Sequence, residues 1–260
     1  MKKFGISLQI HSVREDFAEN PFETIKKIGE MGYEGIEFLY GSRQGYPAEK
    51  FLDALNEAGL VCHSTMIGWG EIDELDAVID YVKALNCPKI VIGSVPFDKL
   101  AGDDKKAMAD EFIKVMKSVN ERAKAAGLAS GYHAHDGDYT KKIDGVPFYE
   151  YVLANTPKDF IMMVDTGNMQ AGGGDPIACI KRFPGRTQIL HIKGYNQITK
   201  YTTPVWESEL DWVDLFNTAK NIGATEVFTI EFGARAEYIP LERAELSCKW
   251  LKEWVAKISD

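Results

Sequence analysis

Three residues able to bind a metal or move a proton close three successive β-branched runs in this chain: Asp165, His191 and Glu231. Imidazole nitrogen with carboxylate oxygen is a donor set suited to Mn²⁺, Co²⁺, Zn²⁺ or Fe²⁺, and ligand softness does not choose among them. All five histidines, His11, His63, His133, His135 and His191, fall at or near the end of such a run. A lone histidine on a strand is more often a hydrogen-bonded structural residue than a ligand. An Asp, a His and a Glu on consecutive strands reverse that expectation, because parallel strands stand about 4.8 Å apart and neighbouring ends converge on one point.

The elements that must position these residues alternate regularly. Strands are predicted over 4–10, 35–38, 61–66, 89–92, 129–135, 160–164, 188–192 and 226–231. Segments of helical period lie between them, at 21–31, 48–58, 74–85, 105–126, 147–154, 176–183, 211–221 and 241–257. Gly32, Gly59, Gly127 and Gly223 each stand where a helix ends, suited to a left-handed cap. Strict alternation implies parallel strands with right-handed crossovers, and 260 residues suit a (β/α)₈ TIM barrel forming one domain over 1–260. An open Rossmann-type sheet is the alternative. Its Gly-rich fingerprint is missing after the first strand, where Gln9-Ile10-His11-Ser12-Val13-Arg14 stands.

A barrel carries its chemistry at the C-terminal ends of its strands. Strand 1 ends in Gln9 and His11 with Arg14 just beyond, strand 2 in Glu37, and strand 3 contains His63 before Trp69. Strand 5 runs into His133-Ala134-His135-Asp136, strand 6 into Asp165-Thr166-Gly167-Asn168, and strand 7 into His191-Ile192-Lys193.

The net charge of −9 argues against a broad nucleic-acid surface, which needs a basic face. No run reaches membrane-spanning length, and the N-terminal apolar run is too short for a signal peptide. Cys62, Cys87, Cys179 and Cys248 show no CxxC pairing, the pattern of reduced buried thiols in a cytoplasmic protein. Asp103-Asp104-Lys105-Lys106 and Lys141-Lys142 read as solvated turns. Trp250 and Trp254, four apart on the last helix, pack against the barrel or form a contact in a homo-oligomer.

Asp165-Thr166-Gly167-Asn168, Gly172-Gly173-Gly174-Asp175-Pro176, Gly185-Arg186 and His191-Ile192-Lys193 together resemble the sugar phosphate isomerase/epimerase superfamily. These are the barrels related to xylose isomerase, ketose 3-epimerases, inosose dehydratase and endonuclease IV. Gly131 to Tyr139, containing Tyr132-His133-Ala134-His135-Asp136, is similar to a subgroup marked by Tyr-His-Asn-His-Asp, as is the stretch from Asp144 to Pro157. The resemblance spans nearly the whole chain and is most specific from 129 to 231.

The resemblance implies one divalent metal (Mn, Co, Zn, Fe or Mg) held by a strand 5 residue with Asp165, His191 and Glu231. The strand 5 place holds His133 where the epimerases have Glu, giving a shell of two imidazoles and two carboxylates. Asn168 replaces a frequent second His, Gly194 replaces a frequent acid, and Val205-Trp206-Glu207-Ser208 replaces Gly-Glu-Gly.

The chemistry implied is proton transfer beside a carbonyl of a sugar or keto-polyol. Glu231 serves as base, His135 moves the second proton, and Lys193 stabilises an enolate oxygen. Substrate contacts are expected from Glu37, His63, Trp69, Asn168, Arg14 and His11, with Trp206 and Phe232 extending an apolar wall. Glu37 and Arg14 fit equally a structural ion pair across strands 1 and 2. Isomerisation or epimerisation leads; dehydration of a keto-polyol begins with the same proton abstraction, and a non-catalytic sugar-binding barrel is the third reading. Endonuclease chemistry needs several metals and a basic face, and neither is expected here.

Overall fold

Gly5, Ser7 and Gln9 share one face of the first strand while Ile6 and Leu8 share the other, so this strand separates a polar interior from an apolar outer layer. The computed structural model describes residues 3–98, 104–200, 202–233 and 237–259. Eight strands form the barrel: β1 (Gly5–Gln9), β2 (Gly35–Leu39), β3 (Val61–Ile67), β4 (Lys89–Ile92), β5 (Ala129–His133), β6 (Ile161–Asp165), β7 (Ile189–Ile192) and β8 (Val227–Ile230). Each runs parallel to the next, and β8 returns to β1 with Gly5 opposite Val227. The sheet is therefore the expected closed (β/α)₈ barrel, and the open alternative is excluded.

Most apolar burial lies between the barrel and its helices, as where Phe216 meets Phe228 at 5.0 Å. A second, smaller cluster fills the barrel interior: Val91, Met163, Ile189 and Val227, with Met66 against them. Above that plug, towards the strand C-termini, the interior turns polar and ionic while staying buried. Layered filling of this kind closes the barrel from below and leaves one usable face.

The predicted helices are present, and three further short helices lie in the loops after strands: Arg14–Glu19 and Asp136–Thr140, a few residues beyond β1 and β5, and Thr166–Ala171, directly at the end of β6. Asp104 caps Lys105–Ala125 through bonds from the Lys106 and Ala107 amides, so the charge run from Asp104 onward begins a helix rather than a turn, and Asp103 lies outside the described residues. Gly32, Gly59 and Gly127 take positive φ at helix ends, as expected. After the helix Trp212–Thr218, a π-turn over Ala219–Gly223 moves the left-handed cap from Gly223 to Ala224, at φ 59°.

Trp250 packs on Trp212 at 4.9 Å and Trp254 stacks on Phe216 at 5.5 Å, which accounts for both tryptophans by packing within the chain. All four cysteines are free and buried. Among the described residues no helix is long and apolar enough to cross a membrane.

Candidate metal centre

His133 ends β5, Asp165 ends β6, His191 lies inside β7, and Glu231 follows β8 by one residue. The register sets Asp165 beside His191, and His191 beside Thr229 two positions before Glu231. One ligand atom from each of His133, Asp165, His191 and Glu231 falls within 4.8 Å of the others, and all four residues are buried. His133 Nε2 lies 3.4 Å from Asp165 Oδ2 and 3.5 Å from Glu231 Oε2. His191 Nδ1 lies 2.8 Å from Glu231 Oε2 and 3.8 Å from Asp165 Oδ2. Donors about 2.1 Å from a tetrahedral ion stand about 3.4 Å apart, so the two His133 spacings already match, the His191–Asp165 pair is wider and the His191–Glu231 pair is closed to hydrogen-bond distance.

Three of the four ligands are held from outside the cluster, Glu231 by Lys193, whereas the outer nitrogen of His133, Nδ1, is buried without a hydrogen-bond partner. Asp165 Oδ1 accepts from the Asn168 amide at 2.7 Å, capping the helix Thr166–Ala171 and leaving Oδ2 for the cluster. His191 Nε2 stands 2.9 Å from Glu37 Oε1, within ion-pair reach though not aligned as a hydrogen bond. Glu37 is itself fixed by Gln9 Nε2 at 3.1 Å and by the Ser64 hydroxyl at 2.6 Å. A carboxylate behind a ligating imidazole orients the ring and raises its basicity.

Charge points to a cation. Glu37, Asp165 and Glu231 bring three buried carboxylates, and Lys193 brings one ammonium, leaving an excess of −2 with both imidazoles neutral. A divalent ion cancels that excess. Buried charges persist only when paired. A proton on His191 competes with the ion for that excess: burial alone would lower the His191 pKa, but Glu37 and the bonds with Asp165 and Glu231 raise it well above the ordinary value, so metal binding has to displace this proton. Burial would raise Glu231, and the Lys193 ammonium with the His191 bond holds it well below the carboxylate range. The donor set, its spacing and its charge all fit a divalent metal.

Lys193 Nζ donates to Glu231 Oε1 at 2.7 Å and to Asn168 Oδ1 at 3.0 Å, and lies 3.7 Å from Asp165 Oδ2. Asn168 Nδ2 also donates to the Ala134 carbonyl at 3.4 Å. Asn168 is thus buried as the support of Lys193. Gly194 is required by packing, since a Cβ there would stand 2.3 Å from the Thr203 carbonyl oxygen. The acid that Gly194 replaces would have no room here.

His135 and His11 are exposed at the mouth of the barrel. The His135 ring meets His133 edge-on at 4.9 Å. Desolvation by the surrounding walls, then the neighbouring His133, push the His135 pKa down to about 4. His11 feels the Glu231 carboxylate and the Lys193 ammonium. Trp69 stacks on Phe112 at 5.4 Å, and the buried Phe232 lies under the Arg243 guanidinium at 4.5 Å.

Three expected substrate contacts lie elsewhere. Glu37 is buried beneath the cluster and serves as the brace of His191. Arg14 is exposed, bonded to the His11 carbonyl at 3.3 Å and 3.7 Å from Glu15, so it makes no ion pair with Glu37. His63 sits at the N-terminal end of the barrel, where a Cβ on Gly5 or Gly35 would collide with its ring. A bulge in β3 causes this: Ile36 faces Cys62 but Glu37 faces Ser64, so His63 is skipped.

Sequence reasoning missed Gln9 and Ser64 as braces, and also Asp138. Asp138 Oδ2 accepts from the His135 amide and Oδ1 from the Tyr132 hydroxyl, each at 2.6 Å, fixing the loop that carries His135. Asp138 lies three residues after His135 at the start of a helix, which is a readable capping signal. Burial, outweighing those bonds, raises its carboxyl from 3.8 to about 6. The proton is therefore kept in the fold while the unfolded chain has lost it. The resulting stability is complete below about pH 4 and is lost as the pH rises through about 6. Asp138→Asn is expected to gain on the parent across that window, by about 3 kcal/mol at most. Urea unfolding at pH 4 and pH 7 checks this; a difference that does not change with pH contradicts it.

The family described as xylose isomerase-like TIM barrel matches residues 25–254. Inosose dehydratase from Lacticaseibacillus casei is 26% identical over 131 residues, covering 45% of this chain and 42% of that protein, so the match spans under half of the curated relative. A sugar phosphate isomerase/epimerase from Parabacteroides distasonis superposes with a TM-score of 0.79 at 18% identity, covering 97% of this chain and 94% of that one. The IOLI protein, solved with a bound zinc atom, superposes with a TM-score of 0.74 at 14% identity, covering 98% and 99%.

Proposed function

Because this chain belongs to the xylose isomerase-like TIM barrel family, we propose that it is a metal-dependent isomerase or epimerase acting on a sugar or keto-polyol. The observation that carries this reading is the convergence of His133, Asp165, His191 and Glu231 within 4.8 Å, with Lys193 held against Glu231 Oε1. These four residues would hold the ion. Of Mn, Co, Zn, Fe and Mg, two nitrogen donors weigh against Mg. The zinc atom bound in the IOLI structure supports a metal of this class on this fold. When bound, the metal polarises a carbonyl or hydroxyl oxygen and so acidifies the neighbouring C–H.

The chain's own groups do the rest. Glu231 Oε2 faces the other donors, which leaves Oε1 to take the proton from carbon. Glu231 stays ionised near neutrality, so it enters every cycle in its basic form. As Oε1 gains the proton, Lys193 turns its ammonium to the oxygen where charge collects, still tethered by Asn168. His135, open at the mouth and fixed through Asp138, is neutral near pH 7, so it enters as a base that takes a substrate hydroxyl proton and returns it as the new hydroxyl forms. The inner plug of Val91, Met163, Ile189 and Val227 closes the barrel below the reacting groups.

Dehydration is the second reading, favoured by the 26% identical segment shared with inosose dehydratase. Incubating the metal-loaded protein in D₂O with a panel of ketoses and keto-polyols separates the two. One deuterium gained with the formula otherwise unchanged supports isomerisation, loss of water supports the lyase, and no exchange with any member contradicts both.

A further inference from the structure

Beside His135 the mouth opens into a mostly apolar cavity of about 410 Å³. Its walls come from successive strand ends: Leu39 at the end of β2 and Gly41 beyond it, Met66 near the end of β3 and Glu71 beyond it, Gly93 after β4, and His135 after β5. That volume lies at the small end of the range for small-molecule sites. It also adjoins the metal cluster, because His135 packs edge-on against the ligand His133 at 4.9 Å.

The charge of this cavity is one-sided. Among its described lining residues Glu71 brings a carboxylate, and none brings an ammonium or guanidinium group. The loop amide best placed to greet an anion, Gly68 N–H, already donates to Glu71 Oε2 at 2.7 Å. The other oxygen, Oε1, faces Gly41, where a Cβ would stand 3.1 Å away, so the missing side chain leaves that oxygen open. Across the cavity, a Cβ on Gly93 would stand 2.8 Å from Met66 Sδ, so a glycine keeps that wall back as well.

A phosphate group carries close to two negative charges and is bound by Arg, Lys or free backbone amides. Here it would meet a carboxylate with no cationic neighbour among the described lining residues, a repulsive element of the kind that sets specificity. A hydroxyl, by contrast, donates well to Glu71 Oε1. We propose that the site takes unphosphorylated ketoses or polyols, with the chain distal to the reacting carbon in this cavity and Glu71 as the residue that excludes phosphate. This rests on the isomerase reading only for the identity of the reacting end.

The test is equilibrium binding by calorimetry, run on metal-loaded protein with ketohexose stereoisomers, each paired with its own terminal phosphate. The free sugar of at least one pair is expected to bind tenfold or more tighter than its phosphate. Glu71→Gln, which keeps an accepting oxygen but removes the charge, is expected to narrow that ratio at least tenfold. Glu71→Asp, which keeps the charge, should preserve the order, and thermal midpoints near the parent's confirm that both variants fold. Equal or tighter binding of the phosphates, a ratio unmoved in Glu71→Gln, or no binding by either member of any pair overturns the proposal. Selective binding of free sugar without deuterium exchange upholds it and removes the isomerase reading instead.

Discussion

Glu231→Gln is expected to lower kcat for deuterium exchange by about 10³-fold, the middle of the range for a positioned general base. An amide is isosteric with the carboxylate but cannot take a proton from carbon. The substitution also removes one of the cluster's three buried negative charges, so bound metal falls with it. Measuring metal content beside kcat separates the effects. At saturating metal the loss of turnover persists if Oε1 is the base, and is restored if Glu231 is only a ligand. Unchanged turnover at native metal content contradicts both roles.

Lys193→Met is expected to cost about 10²- to 10³-fold in kcat, as for loss of one oxyanion-stabilising donor. Methionine keeps the length and the apolar stem but has no ammonium. Lys193 bonds both Glu231 Oε1 and Asn168 Oδ1, so its removal leaves two buried acceptors without that donor. It also deepens the local negative excess, so metal affinity should hold or rise while turnover falls. That opposite movement marks an electrostatic role in the reaction. A parallel loss of metal and turnover would instead make Lys193 a structural tie of the cluster.

The barrel was legible because its period repeats eight times, and closure needed nothing beyond chain length and alternation. Asp165, His191 and Glu231 were legible as strand ends, since a strand end in a barrel has one destination. What a sequence does not carry is which way a side chain turns within the polar layer. Glu37 was expected to end its strand, yet β2 runs two residues further and Glu37 points inward, bracing His191 rather than reaching substrate. Asn168 follows the Asp-Thr-Gly turn as expected, yet its amide group tethers Lys193. His63 was misplaced by a one-residue bulge, because period-2 reasoning has no warning of an extra residue. Gly194 reads as the loss of an acid, and only the Thr203 and Pro204 carbonyls packed against it show why no side chain fits.

His133 carries the largest departure from the superfamily pattern and also the sharpest test. Its Nε2 lies 3.4 Å from Asp165 Oδ2 and 3.5 Å from Glu231 Oε2, a position that makes sense for a ligand sharing one ion with them. Metal content after loading with Zn²⁺, Co²⁺, Mn²⁺ or Fe²⁺ and exhaustive dialysis, compared between the parent and His133→Ala, measures this directly. One ion per chain in the parent, with occupancy reduced at least tenfold in His133→Ala, is the predicted result. A parent that retains no metal, or a variant that retains it in full, would contradict a four-ligand centre at the top of this barrel.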